Sequence, residues 1–333
     1  RVPEVADALD RMWPRLSPHE LLHDLLGARP LLAAASRGVL TKEEQELLFR
    51  PRSPSFDEVE WTAADAALVD EARHLLGPRR PGGEELTRYG HIVVDEVQDL
   101  SPMQLRMLTR RSLSGSMTVV GDVAQATAPW APADWSEIMA HLPSRRPPRT
   151  VELTVSYRTP AEVLELAGRI LALLSPDLEP PRPVRRSGHR PRLVAVTPER
   201  DGDEPTDRDT ARVVAAVAAE ELAAVGEGQV AVLAPGSLLP ALADALSRAG
   251  LLGSGHGDAG DGRMSLSEPL VLVATEQSNG LEFDAVVVVE PGLIAGETAR
   301  GLRTLYVALT RPTRRLAVVH RTPPPAALLA GGP

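Results

Sequence analysis

Two adjacent acids close an apolar run at His91-Ile-Val-Val-Asp95-Glu96-Val-Gln98-Asp99. An Asp at the end of a strand can hold Mg²⁺ on a nucleotide, and the Glu beside it can orient or deprotonate a water. The same pair also reads as an acidic turn after a core strand. A second run, Met117–Val120, passes into Gly121-Asp122-Val-Ala-Gln125. Gly121 permits a tight turn, and the Gln125 amide, which both donates and accepts, could sense a terminal phosphate or position a water. Alone it is an ordinary strand-turn. A third pattern, Leu153-Thr-Val-Ser-Tyr157-Arg158-Thr159-Pro160-Ala-Glu162, sets a flat ring beside a planar cation. These suit a base and phosphate oxygens, or a plain surface pair. Gly280-Leu-Glu282-Phe283-Asp284 lies between two apolar runs, and Leu305-Tyr306-Val-Ala-Leu-Thr310-Arg311 precedes Pro312. An Arg at a helix end can act as an arginine finger; each of these two also reads blandly, as a turn or as a core helix with a solvated Arg.

The elements that must position these groups are legible. Short Val-rich runs alternate with helical stretches from Tyr89 onward: His91–Val94, Met117–Val120, Leu193–Val196, Val230–Leu233, Leu270–Val273, Ala285–Val289 and Leu316–Val319. Continuous apolar runs separated by helices predict buried parallel strands in an α/β fold. Ser101-Pro102-Met103-Gln104 predicts a capping box with Pro at the first helical position. Thr159, Pro160 and Glu162 predict a second box, and Pro312 is expected to end the helix directly after Arg311. Upstream, Leu21, Leu22, Leu25, Leu26, Leu31 and Leu32 recur at helical spacing. A further helix is predicted from about Thr62 to Leu76, stopping at Gly77-Pro78. Pro143–Arg149 is expected to be a linker, 176–209 to hold long loops around one strand, and the tail from Thr322 to fray.

Composition narrows the function classes. The 333 residues suffice for two cores, and no apolar run approaches the length of a membrane span. No cysteine is present, which rules out disulfides, thiolate metal sites and a cysteine nucleophile. A cytoplasmic location fits. The net charge of −9 argues against non-specific binding to a polyanion, without excluding a local basic groove. Nearly all cations are Arg; Lys42 is the sole Lys.

Five motifs in one order, each at the end of an element, resemble motifs II, III, IV, V and VI of UvrD/Rep-type superfamily one helicases. The resemblance runs from about Tyr89 to His320. It implies a RecA-like α/β fold of parallel sheets flanked by helices, with a partial first domain 1A and a complete second domain 2A. It implies ATP and Mg²⁺ as cofactors, with two RecA-like domains closing on the nucleotide. Asp95 would hold the metal and Glu96 would be the catalytic base. Gln125, Arg158 and Arg311 would contact the γ-phosphate, Tyr157 would stack on adenine, and Glu282 would bind the ribose. Trp130 stands where the family often stacks an aromatic on a single-stranded base; a structural Trp also fits there, between Pro129, Ala131 and Pro132.

The departures carry information. No Gly-x-x-x-x-Gly-Lys-Ser/Thr loop is present, and Lys42 follows no glycine loop. The cradle for the β- and γ-phosphates is therefore expected upstream, in another part of a longer protein, as the opening Arg-Val-Pro-Glu also suggests. Asn279 replaces the Lys that often precedes Gly-Leu-Glu-Phe, and the spacing between motifs IV and V leaves no room for a 2B insertion. The strings DEVQDLSPMQLRML, SMTVVGDVAQAT and TLYVALTRPTRRLAVVH are most similar to the HelD group of actinobacteria, RNA polymerase recycling factors. The expected organisation is a helical segment over 1–84, the end of an insertion domain; the second half of domain 1A over 85–145; domain 2A over 150–322; and a tail over 323–333. Three readings follow: a HelD-like ATPase acting on RNA polymerase, a 3′–5′ DNA helicase acting on single-stranded DNA, and a non-catalytic interaction module. Net acidity and the missing 2B domain favour the first over the second; the full motif set argues against the third for the longer protein, while the third stays open for this chain as an isolated fragment.

Overall fold

Several helix starts among the described residues are fixed by short polar side chains. Ser17, Thr41, Ser101 and Thr206 each accept a bond from the amide three residues on, and the side chain at that position accepts one from the cap's own amide. Such reciprocal bonds satisfy two amide donors that a helix end leaves open. The computed structural model describes residues 5, 8, 9, 12, 16–77, 87–142, 147–176, 178–199, 204–252, 268–297 and 300–329. Part of the expected linker Pro143–Arg149, Pro78, the opening residues and the last residues of the tail lie outside the described residues.

The chain divides into two compact units, Arg1–Val120 with Asp134–Pro147 and Gly121–Ala133 with Pro148–Pro333. The first holds helices α1 (Pro18–Gly27), α2 (Arg29–Ala35), α3 (Lys42–Leu48) and α4 (Asp65–Leu76), strand β1 (Ile92–Val94), helix α5 (Pro102–Arg111), strand β2 (Met117–Val119) and helix α6 (Trp135–Ala140). β1 and β2 pair in parallel, Ile92 opposite Met117. Asp70 and Glu71 of α4 clasp α5 by charge. Arg111 Nη2 lies 2.7 Å from Asp70 Oδ1, Arg110 Nε donates to Asp70 Oδ2 at 3.0 Å, and Arg106 Nη2 reaches Glu71 Oε1 at 2.7 Å. Burial opposes ionisation of Asp70, yet Arg111 and Arg110 hold its carboxyl below the ordinary range. The N-terminal helices are thus fastened to the helix that follows the acidic motif. α4 starts at Asp65, inside the predicted stretch, because Thr62 N and Oγ1 both donate to the Asp65 carboxylate.

The second unit holds β3 (Val155–Ser156), α7 (Ala161–Leu174), β4 (Arg182–Pro183), β5 (Arg192–Ala195), α8 (Asp207–Val225), β6 (Val230–Ala234), α9 (Leu239–Arg248), β7 (Leu270–Ala274), β8 (Phe283–Val289), α10 (Pro291–Glu297), α11 (Gly301–Leu309), β9 (Pro312–His320) and α12 (Ala326–Leu329). Five strands form one parallel sheet in the order β5-β9-β8-β6-β7. Alternate residues serve opposite faces. Ala231, Leu233, Val286, Val288, Leu316 and Val318 pack with α7 and α11. Val230, Val232, Ala285, Val287, Ala317 and Val319 pack with α8 and α9. Burial on both faces is why these strands read as unbroken apolar runs. The chain is α/β, with parallel sheets flanked by helices.

Two local expectations are corrected. The second capping box does not form. α7 begins with Pro160 at the cap position and no side-chain cap bond. Pro160 has no side-chain oxygen to offer, Thr159 falls one residue too early, and Glu162 instead accepts from the amides of Ser187 at 3.1 Å and Gly188 at 3.2 Å. Nor does Pro312 end the last motif helix: α11 stops at Leu309, and Pro312 opens β9. Thr310 turns its hydroxyl back onto the carbonyls of Val307 and Tyr306, which closes the helix before Arg311. Among the described residues, no helix is long and apolar enough to cross a membrane.

Candidate functional site

In the second unit, the predicted residues gather at one turn. Gly280 takes a φ of +73°, a left-handed backbone that favours Gly, just ahead of β8. The carbonyl of Leu281 then accepts from Arg311 Nη1 at 3.2 Å, and the next side chain, Glu282, forms an ion pair with Arg158. Residues that the sequence separates widely, Arg158, Glu282 and Arg311, thus meet at the Gly280–Glu282 turn.

Arg311 is 1 % exposed, which is unusual for a guanidinium. Its Nε donates to Val307 O at 3.0 Å and its Nη2 to Gln125 Oε1 at 2.7 Å. Carbonyl and amide oxygens hold the fork from several sides, so a cationic group stays oriented in a low-dielectric setting. Gln125 is oriented in turn. Its Nε2 donates to Asp122 Oδ2 at 2.8 Å, which leaves Oε1 to face Arg311. Asp122 also caps the short turn Val123–Gln125 by accepting from Ala124 N at 2.9 Å. Tyr306 lies in the same environment. Burial, and then the Asp122 carboxylate, push its hydroxyl up to about 12, with Arg311 opposing. Tyr157 is 72 % exposed at the end of β3, an open flat face beside Arg158. Trp130 is also partly exposed, on the loop after Gln125.

In the first unit, Asp95 and Glu96 lie exposed at the carboxyl end of β1. Glu96 adopts a left-handed backbone with φ 49°. For a non-glycine residue this conformation costs about 1–3 kcal/mol and tends to sit at functional positions. It is held from several sides. Asp95 Oδ1 accepts from Glu96 N at 2.9 Å, and Gln98 Nε2 donates to Glu96 Oε2 at 2.6 Å. The Val97 amide donates to Val120 O at 3.1 Å, tying the turn to the end of β2. Gln98 is fully buried.

Sequence reasoning gave no role to Asp122 and Gln98. Each holds the side chain of a candidate site residue, Gln125 or Glu96, and the available signal was only its place inside a motif. Among the described residues, no group of three or more His, Asp or Glu side chains is arranged to hold a metal ion. Asp95 offers one exposed hard oxygen ligand, which fits a Mg²⁺ ion that keeps its waters and nucleotide phosphates as its other ligands. Lys42 opens α3 as its first residue.

The chain can now be set beside known proteins. Residues 83–143 match the UvrD/REP helicase N-terminal domain. No curated protein matches the chain. Among solved structures it is similar to the C-terminal domain of a possible DNA helicase from Lactobacillus plantarun WCFS1, with a TM-score of 0.33 and 23 % identity, covering 53 % of this chain and 92 % of that one. It is similar to the PRRSV helicase, with a TM-score of 0.36 and 14 % identity over 75 % of this chain and 44 % of that one. It is also similar to the Arterivirus nonstructural protein 10 helicase, with a TM-score of 0.37 and 17 % identity over 81 % of this chain and 54 % of that one. The chain spans about half the length of the last two.

Proposed function

We propose that the chain is the C-terminal motor portion of an ATP-dependent, UvrD/Rep-like helicase-family ATPase, and that the longer protein acts in the cytoplasm as a HelD-like factor that frees stalled RNA polymerase. The observation that carries the motor reading is Arg311, buried and donating at once to Gln125 and to the Leu281 carbonyl beside Glu282 and Arg158. Four residues given to one nucleotide by motif alone form two pairs, Arg311–Gln125 and Arg158–Glu282, that meet at the adjacent residues Leu281 and Glu282.

In this reading each side chain has a defined task. Asp95 would contribute a carboxylate oxygen to Mg²⁺, which would supply positive charge against the phosphates. Glu96, held by Gln98, accepts a proton from the attacking water. Gln125 and Arg311 meet the γ-phosphate as a pre-oriented amide and cation, and Arg158 adds a second cation on leaving Glu282. Glu282, so released, turns to the ribose, and Tyr157 offers its open face to adenine. The polymerase assignment is supported by the net charge of −9, which suits a protein partner better than a phosphate track. A 3′–5′ DNA helicase is the second reading, favoured by the exposed ring of Trp130.

Two experiments test this. The chain alone should show no steady ATP hydrolysis, because no phosphate cradle is present in its sequence and positioning supplies much of the rate in this reaction class. A steady rate abolished by Glu96→Gln would overturn that. For the longer protein the reading calls for, ATP-dependent release of stalled RNA polymerase is compared with unwinding of a tailed duplex. Release without unwinding is expected, and unwinding without release would select the DNA helicase.

A further inference from the structure

The helix that ends just before Arg311, whose Nε is tied back to its Val307 carbonyl, carries a second grip at its start. Arg300 is the N-cap residue of α11. Its Nη1 donates to the carbonyl of Ala128 and its Nη2 to Ala131 O at 3.1 Å. The Ala131 amide donates back to Ala128 O at 3.0 Å, so both carbonyls belong to one turn, and Trp130 rides on it. Arg303, one turn along, reaches Pro132 O at 3.5 Å. Trp130 keeps 46 % of its surface exposed on this gripped turn.

α11 is built to be stiff. Leu305 and Leu309 are wholly buried, and Gly301 sits against the carbonyls of Ile294 and Ala295 with no space for a Cβ. One rigid helix therefore holds both ends of one loop, Gln125 through Arg311 and the Trp130 turn through Arg300. Placing two cations side by side on it has a cost: burial, and then the charge of Arg300, pull the Arg303 guanidinium below its ordinary range. A planar guanidinium can hold two carbonyls of one turn in parallel, which the point charge of a Lys cannot.

We propose that Arg300 is a positioning residue that fixes Trp130 to α11, so that the Trp130 ring and the Gln125–Arg311 pair move as one body when single-stranded nucleic acid stacks on Trp130. This rests on the reading of Trp130 as a base-stacking residue. Arg300 acts through the loop, touching neither nucleotide nor strand. Any displacement of Arg311 is then transmitted along α11 to the stacking face.

Two measurements on the chain separate the proposal from the reading beneath it. Amide hydrogen exchange over 127–133 should speed up in Arg300→Ala while melting stays near wild type. Unchanged exchange there overturns the proposal whatever nucleic acid does. Fluorescence anisotropy with labelled oligo(dT) then tests the coupling. Trp130→Ala should weaken binding about tenfold, within the range of one base–aromatic stack. Arg300→Ala should weaken it by about the same factor, and the double variant no further, as for two residues acting through one contact. Arg300→Lys keeps the charge and should fail to restore affinity. Multiplying losses in the double variant, or full rescue by Lys, would mean that Arg300 meets the strand as a charge, and would overturn the proposal. Faster exchange with no effect of Trp130→Ala on affinity would remove the stacking reading and leave the clasp standing.

Discussion

The two units treat the same kind of strand differently. In the second, β6 and β8 lie inside a five-stranded sheet, and all five residues of β6 are buried. In the first, β1 pairs only with β2 among the described residues, and Val93 at its centre is 68 % exposed. All three strands are rich in Val, and β8 and β1 lie next to residues able to do chemistry, Glu282 and Asp95. The sheet of the second unit is held by its own two-sided core. The strand pair of the first is held by hydrogen bonds and charge: the Val97 and Val120 amides cross between the strands' ends, and the Asp70–Arg110–Arg111 cluster fastens the flanking helices. A parallel strand pair without cover on both faces is marginal, so the geometry of Asp95 and Glu96 depends on polar contacts more than that of Arg311 does.

Substitutions can break this contrast. The largest effect is expected at Leu233, fully buried in β6. Leu233→Ala should cost about 2–5 kcal/mol in denaturant unfolding, through lost burial and the cavity left behind. A cost under about 1 kcal/mol would mean that the second unit's core is looser than its burial implies.

An intermediate effect is expected from pH in the first unit. Asp65 is held down to about 2, first by its bond to Arg50, with burial opposing and Thr62 adding two donors. A carboxyl depressed in the folded state stabilises above its unfolded pKa of about 3.9, and that contribution disappears as pH falls through the folded value. The first unit should therefore lose up to about 2 kcal/mol between pH ~4 and ~2, discounted because Arg50 is partly exposed. Asp65→Asn should flatten this limb of the pH–stability curve, and an unchanged limb would assign it elsewhere.

The smallest effect is expected at Val93. Val93→Ala should stay within about 0.5 kcal/mol, because the side chain has little burial to lose. A loss near that of Leu233→Ala would show that this face of β1 is covered in solution.

The contrast also explains what the sequence made legible. The strands of the second unit could be read because two-sided burial leaves an unbroken Val and Leu signature. β3 and β4 are two residues each, too short for any pattern. Thr159 misled because the spacing of a capping box is satisfied one residue out of register, and only the structure shows Pro160 at the cap position. Gln125 and Arg311 were legible as motif members, but their mutual contact, with Asp122 setting the amide's direction, was not. Arg300 lies outside every motif, and nothing local marks a side chain whose partners are the carbonyls of a distant loop. The left-handed backbone of Glu96 was equally hidden, since strained positions for a non-glycine residue leave no compositional trace.

The central claim is that Gln125 and Arg311 act as one unit on a transferring phosphate. It is tested most directly by a double-mutant cycle on ATP hydrolysis in the longer protein proposed above, with Gln125→Ala, Arg311→Ala and both together, each checked for an unchanged fold. The account predicts that Arg311→Ala lowers kcat about a thousandfold, with a smaller effect on ATP binding. It also predicts that adding Gln125→Ala to Arg311→Ala changes kcat little further, because the residues work through a shared contact. Near wild-type kcat in Arg311→Ala, or losses that multiply in the double variant, would contradict it.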